Sequence, residues 1–193
     1  CLLNNKSNKF QIYIVISDSS SDLSIELELK MKLLPNWMWQ PNLALSRNQN
    51  LDFYFKRDGV LENLGKTQLA YSPNLVGGSA IIYVPSTRFQ IGLLSKYVGK
   101  QYMGNIDSEN STLEAYFVND LNAVFTWKPN KWVSEIQWSF LINNIFDKRY
   151  ESNGYFYTYD DSWSVPGQVT TIEGAGYYPQ AGINFLTGLM IKF

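Results

Sequence analysis

The most regular part of the sequence is Leu23-Ser-Ile-Glu-Leu-Glu-Leu-Lys-Met-Lys-Leu33, in which apolar and polar residues alternate without exception. Period-two alternation predicts a β-strand with one apolar and one polar face. The stretch is longer than the roughly 5 to 6 residues typical of soluble strands, and it matches the roughly 9 to 11 that a tilted strand needs to cross a bilayer. We therefore predict a membrane-crossing strand with lipid on its leucine face and water on its Glu and Lys face.

Similar patterns recur along the chain and predict an all-β protein, a transmembrane antiparallel up-and-down β-barrel segment of about eight strands. The predicted strands cover residues 10–17, 23–33, 37–48, 75–84, 88–102, 113–127, 132–146 and the final run to Phe193. Pro41 interrupts the third of these. Because proline lacks a ladder donor, we expect a β-bulge there.

The connections between these strands alternate in length. Only a few residues follow Leu33, Val84 and Trp127, whereas segments 49–73, 103–112 and 147–177 are long. Tryptophans stand beside the short turns, as in the interfacial girdle of an outer-membrane barrel with short periplasmic turns and long extracellular loops. A soluble β-sandwich is the alternative, but it explains neither the strand lengths nor these tryptophans.

Composition excludes several functions. The chain has no histidine, one cysteine and a net charge of -1. It therefore lacks the residues for a Ser/His/Asp or Cys/His nucleophile, for an imidazole metal site and for a disulfide. It also lacks the positive field that nucleic-acid binding requires. We expect no enzyme activity, no cofactor and no nucleic-acid partner. Cys1 is either a lipid-bearing first residue or the start of a fragment, and we favour the fragment.

Several segments resemble a known family. They include Tyr97-Val-Gly-Lys-Gln-Tyr102, Leu113-Glu-Ala-Tyr-Phe-Val-Asn-Asp-Leu121, and Asn143-Asn-Ile-Phe-Asp-Lys-Arg-Tyr-Glu151 with its Asn-x-Phe-Asp-x-x-Tyr pattern. Together with the terminal Phe193, they resemble the C-terminal barrel strands of TonB-dependent outer-membrane receptors, particularly siderophore receptors of the Bacteroidetes type. The resemblance covers residues 23–193.

The resemblance implies transport of a scarce, bulky nutrient across the outer membrane of a Gram-negative cell, most simply a ferric siderophore or another iron chelate. It implies that residues 1–193 are the C-terminal part of a 22-stranded barrel. Its partners are then outer-membrane lipid, the missing plug and remaining strands, and TonB through an N-terminal region that is absent from this sequence. The barrel-assembly machinery would read Phe193, Ile191 and Leu189. A self-contained eight-stranded structural or adhesin barrel is the alternative.

The candidate ligand site is the aromatic segment 147–177. We select Tyr155, Tyr157, Tyr159 and Trp163, because rigid rings contribute contact area to a flat ligand at low entropic cost. Alternatively, the rings pack within the loop or lie among lipid headgroups. The adjacent acids Asp160 and Asp161, on a loop expected to be flexible, provide too few oxygens for calcium. The stripe of charged residues on the second strand is expected to line the lumen: Glu26, Glu28, Lys30 and Lys32.

Overall fold

The computed structural model describes residues 10–18, 22–129 and 132–193. The interpretation of Cys1 and part of the predicted turn at residues 128–131 lie outside the described residues. No helix in the described part of the chain is long and apolar enough to cross a membrane.

Thirteen strands and one short 3-10 turn, Glu109–Ser111, form the described structure. The strands are β1 (Phe10–Asp18), β2 (Asp22–Leu34), β3 (Trp37–Arg57), β4 (Val60–Gln68), β5 (Leu75–Ser86), β6 (Phe89–Val98), β7 (Gln101–Tyr102), β8 (Thr112–Leu113), β9 (Tyr116–Trp127), β10 (Glu135–Asn143), β11 (Glu151–Asp161), β12 (Thr170–Pro179) and β13 (Asn184–Lys192).

Eight of these strands form a continuous antiparallel wall that follows chain order. The order is β1-β2-β3-β5-β6-β9-β10-β13. The predicted all-β, up-and-down arrangement of eight strands is therefore confirmed. In the described residues β1 and β13 each pair with a single wall neighbour, so the sheet is open and is not the closed barrel that the alternative interpretation requires. It is also not a sandwich, since the described residues include only five buried apolar side chains and no second wall sheet packs on the first.

The strand register separates an outer, apolar face from an inner, polar face, as the alternation predicts. Leu27 pairs with Leu43 on the outer face, and Glu28 pairs with Asn42 on the inner face. Outer-face side chains such as Leu189 are well exposed, at 62% for that residue. The wall thus presents apolar side chains outward, which is the arrangement of a strand that contacts lipid.

Two polar residues on the outer face are satisfied by tryptophans on the neighbouring strand. The Trp138 indole N–H donates to Thr187 Oγ1 at 2.8 Å, and the Trp39 indole donates to Ser79 Oγ at 2.8 Å. Thr187 is the one residue that interrupts the apolar pattern of the last strand, so its hydroxyl does not present an unpaired polar group outward.

The prediction of a β-bulge at Pro41 is wrong. Pro41 pairs with Ser79 in an unbroken register, and pairing of β3 with β2 keeps one register from Asn42 to Met38. One missing N–H removes one ladder bond without requiring an extra residue. The shift in this pair lies instead between Lys32 and Leu34, beside the turn.

The three long connections are hairpins rather than irregular loops. The first hairpin consists of the second half of β3, Gln49 to Arg57, paired with β4. The second consists of β7 and β8, and the third of β11 and β12. Three predicted wall strands are correspondingly shorter, because β6 ends at Val98, β9 begins at Tyr116 and β10 spans only Glu135–Asn143. Trp132, predicted to start a strand, precedes β10 and is 88% exposed.

Candidate ligand-binding site

The third hairpin is held to the wall by a compact turn built from the Asn-x-Phe-Asp-x-x-Tyr pattern. Asn144, at φ 50°, accepts the Lys148 backbone N–H at 2.9 Å with its side-chain oxygen and donates to the Lys148 carbonyl at 2.9 Å. Asp147 accepts the Ile183 backbone N–H at 2.9 Å. Asparagine and aspartate tolerate positive φ and bond nearby backbone, which explains their positions in this turn.

The base of the third hairpin lies on the inner face of the wall. Its last turn residue, Tyr150, packs its ring on Tyr116 with centroids 4.4 Å apart. Tyr116 pairs with Val98 and lies in the same inner-face row as Glu26. The Asn144 backbone N–H also reaches the inner-face carboxylate of Asp120 at 2.7 Å. The hairpin therefore rises from the inner side of the wall.

The two faces of the third hairpin have different environments. Along β11, residues from Glu151 to Tyr159 alternate between exposed and covered positions. The covered face contacts the first and second hairpins, and Phe156 on this face lies against Gly104. That face therefore packs on the other two hairpins, and the opposite face of the third hairpin is exposed.

Paired hydrogen bonds join the covered face to the first hairpin. The Asp58 backbone N–H donates to Thr171 Oγ1 and the Thr171 backbone N–H donates to Asp58 Oδ1, both at 2.7 Å. The Tyr71 hydroxyl adds a bond to the Gly154 carbonyl at 3.0 Å. These contacts span 83 or more residues of sequence, so they fix the hairpin as a tertiary unit.

Glu173 is the point at which all three hairpins meet. It accepts from Arg57 of the first hairpin at 3.1 Å, from Asn110 beside the second at 3.0 Å, and from the Ser108 hydroxyl. Burial opposes ionisation of this carboxyl, but the bonds from Ser108 and Asn110 and the Arg57 charge outweigh it and hold its pKa below the ordinary value. The junction is therefore ionic at neutral pH.

The exposed face carries an aromatic ladder, defined as Tyr155, Tyr157, Tyr159 and Trp163. Neighbouring rings lie 6.3, 6.4 and 6.1 Å apart with interplanar angles of 17°, 15° and 6°. Tyr178 adds a tilted ring 6.1 Å from Tyr155. Each ladder residue is about half exposed or more, so four rings with nearly parallel planes are accessible to a ligand.

Two glycines on β12, which we call the seat glycines, leave room for the rings of the ladder. Tyr155 pairs with Gly176 and Tyr157 pairs with Gly174. A Cβ built at either glycine would overlap the Cζ of the opposing tyrosine and stand 2.6 Å from its hydroxyl oxygen. The rings therefore lie over the bare backbone of the neighbouring strand, a space that any other residue would fill.

The structure thus brings all four sequence-selected ligand residues onto one face of one hairpin. It separates them from other aromatics of the segment, since Tyr150, Phe156 and Tyr177 lie on the packed side. Sequence reasoning missed Glu173 and both seat glycines. The signal for the glycines was available: Tyr-x-Tyr at 155–157 faces Gly-x-Gly at 174–176 once the hairpin is recognised.

Asp160 and Asp161 end β11 rather than lying on a flexible loop. Asp160 pairs with Lys56 at 3.3 Å, and Asp161 accepts the backbone N–H groups of Trp163 and Ser164, each at 3.1 Å. The described residues contain no group of three or more Cys, Asp or Glu side chains placed to hold a metal ion.

The two other groups of selected residues lie in the wall. Glu26, Glu28, Lys30 and Lys32 occupy inner-face positions of β2, as expected of a lumen-facing stripe. Leu189 and Ile191 lie on the outer face of the edge strand β13, and Phe193 follows that strand at 90% exposure. Their role as an assembly signal stays a prediction.

No protein-family model and no curated protein matches the sequence. Solved structures do match the fold. The siderophore receptor PiuA of Acinetobacter baumannii superposes with a TM-score of 0.57 at 15% identity, over 88% of this chain and 22% of PiuA. The ferric-catecholate import receptor Fiu of E. coli K12, in its open form, gives 0.54 at 16% over 88% and 20% of the two chains. The ferric yersiniabactin uptake receptor FyuA of Yersinia pestis gives 0.51 at 20% over 89% and 23%.

The chain spans about a fifth of the length of each of these receptors. They are named a siderophore receptor, an import receptor and an uptake receptor, and none is named as an enzyme. At these identities the likeness establishes the fold. The predicted resemblance is confirmed at that level: the chain has the fold of a segment of the barrel of TonB-dependent siderophore receptors.

Proposed function

We propose that this chain is the C-terminal part of the barrel of a TonB-dependent outer-membrane receptor that imports an iron chelate, and that the aromatic ladder contacts the chelate. The observation that carries the proposal is the ladder itself. Four rings that the fold holds nearly parallel lie on a hairpin whose base packs on the inner face of the wall, and that wall has the fold of siderophore receptors.

The architecture supports a binding role for the hairpin rather than a purely structural one. Its other face already makes the contacts that hold it in place, through Glu173, Thr171 and Tyr177. The ladder rings are therefore not needed to dock the hairpin, yet they remain exposed. Exposed aromatic patches on a fixed scaffold mark binding surfaces.

The open edges of the sheet support a larger wall. Unpaired strand edges are costly in hydrocarbon, so β1 and β13 require further strands as partners. In this proposal those strands belong to a barrel of 22, a plug fills its lumen, and TonB acts through an N-terminal region outside this sequence. The barrel-assembly machinery inserts the whole into the outer membrane of a Gram-negative cell.

The test is iron-limited growth of a strain that depends on the complete receptor. Replacing Tyr155, Tyr157 and Trp163 together by alanine should abolish growth on the transported chelate at normal surface abundance, whereas single replacements should weaken it modestly. Tyr54→Ala is the matched control, because Tyr54 is 57% exposed on the first hairpin and lies outside the ladder. Normal uptake by the triple variant at normal abundance would exclude the ladder as the ligand site.

A further inference from the structure

We infer that the aromatic ladder selects iron chelates without net negative charge, that is, uncharged or cationic complexes, and discriminates against polyanionic ones. This inference rests on the proposed function and names the ligand class of the same site. It comes from the distribution of charge around the rings.

The third hairpin contains acids and no bases. Between residues 150 and 191 the sequence has Glu151, Asp160, Asp161 and Glu173 but neither lysine, arginine nor histidine. Two of these acids occupy ladder-face positions of β11: Glu151 at its start, and Asp161 at its end, opposite Thr170. Hydrogen bonds from Ser164 hold the pKa of Asp161 below its usual range, so this position is negative at neutral pH.

Two cations of the first hairpin, Lys56 and Arg57, are engaged on the covered face of the third hairpin, and Lys148 and Arg149 lie in the turn at its base. Arg57 pairs with Glu173 at 3.1 Å, and Lys56 pairs with Asp160 at 3.3 Å. In the described part of the chain, the cation–π contacts join Arg57 to Phe55 and Lys100 to Tyr102. No basic side chain in that part of the chain therefore lies over a ladder ring.

The chemistry of the rings then decides the charge of the ligand. The face of an aromatic ring is the negative end of its quadrupole and attracts cations. A polyanionic complex loses favourable hydration when it binds, and hydrogen bonds from arginine or lysine must compensate for that loss. The ladder face has neither residue. An uncharged complex with apolar edges loses little hydration and gains contact area with several rings. A cationic complex loses more hydration, but the ring faces attract its charge.

The test compares two probes on the purified complete receptor: an uncharged ferric tris-hydroxamate and a triply negative ferric tris-catecholate. We expect the uncharged complex to bind about tenfold or more tightly than the anionic one. We also expect its affinity to change little with ionic strength. Ile172→Arg, which places a cation opposite Tyr159, should improve binding of the catecholate, and Ile172→Gln is the uncharged control.

The outcomes separate the two proposals. Preferential binding of the catecholate, weakened by salt, would overturn the charge inference and leave the proposed import function standing. Binding of neither probe, by a receptor that is folded and present at the surface, would overturn the charge inference, whereas the iron-limited growth assay tests the proposed function independently. A catecholate affinity that Ile172→Arg and Ile172→Gln change equally would also count against charge selection, with Thr170→Arg as a second site if Ile172 variants fail to fold.

Discussion

Replacing the seat glycines should disable the ladder without unfolding the receptor. In Gly174→Ala and Gly176→Ala, the new Cβ would stand 2.6 Å from the hydroxyl oxygen of the opposing tyrosine. Ordinary van der Waals contacts begin at about 3.5 Å, so each ring must move by about 1 Å. The ring is the far end of a flexible side chain, and we expect it to lift off the strand while the backbone pairing persists.

The expected loss of binding free energy follows from the two rings that lose their positions. Well-placed aromatic contacts contribute about 0.5–1.5 kcal/mol each, so the double glycine variant should lose about 1–3 kcal/mol of binding. That loss weakens Kd about 5- to 150-fold. The assay is titration of the complete receptor that we propose with an uncharged ferric tris-hydroxamate, beside surface abundance and heat-modifiable mobility.

Gly77→Ala is the matched control for the glycine variant. Its new methyl group would meet Leu43 Cδ1 at 3.6 Å, an ordinary contact, and Gly77 lies in the wall away from the ladder. The control should bind as the unmodified receptor does. Unchanged affinity in the double variant, at normal abundance, would show that ring position over Gly174 and Gly176 does not create the binding surface.

Three further predictions concern the wall, the chain end and the hairpin junction. Leu27→Lys should destabilise the folded barrel by about 2–4 kcal/mol, while the neighbouring inner-face change Glu28→Ala should cost little; folding titrations into bilayers measure both, and the reverse order would contradict the assigned faces. Deleting Phe193 should lower the amount of heat-modifiable, folded receptor in the outer membrane, and unchanged abundance would remove its assembly role. Glu173→Gln should increase amide hydrogen exchange in the third hairpin. Because the pKa of Glu173 lies below its ordinary 4.5, the unmodified hairpin should be fully protected from exchange at neutral pH and should lose protection as the pH drops below 4.5. Equal exchange in the Glu173→Gln variant and the unmodified receptor across that pH range would show that the junction does not hold the hairpin.

The wall could be predicted from sequence because each residue there has one of two environments. Alternation from Leu23 to Leu33 therefore specifies both the strand and its register, and Leu27 and Glu28 lie on the expected faces. Thr187 is the exception. Its hydroxyl accepts a hydrogen bond from Trp138 on the neighbouring strand, and the periodicity of its own strand cannot reveal that partner.

The hairpins were harder to predict for a physical reason. Residues Tyr155 to Tyr159 form a strand with aromatic side chains on both faces, one packed and one exposed, so polarity does not alternate along it. Glu173 lies 116 residues from Arg57, and no local pattern reports such a contact. The four ladder residues were found from composition alone, whereas their common face follows from the pairing of β11 with β12.

Equilibrium binding of an uncharged ferric tris-hydroxamate to the purified complete receptor tests most directly whether the ladder is the ligand site. Two receptors are compared: the unmodified one, and one with Tyr155, Tyr157 and Trp163 replaced by alanine. We expect saturable binding by the unmodified receptor. We expect a Kd weakened by about 10- to 2,000-fold in the variant, since three ring contacts are lost together. Equal Kd values for the two folded receptors would contradict the claim that this ladder is the ligand site.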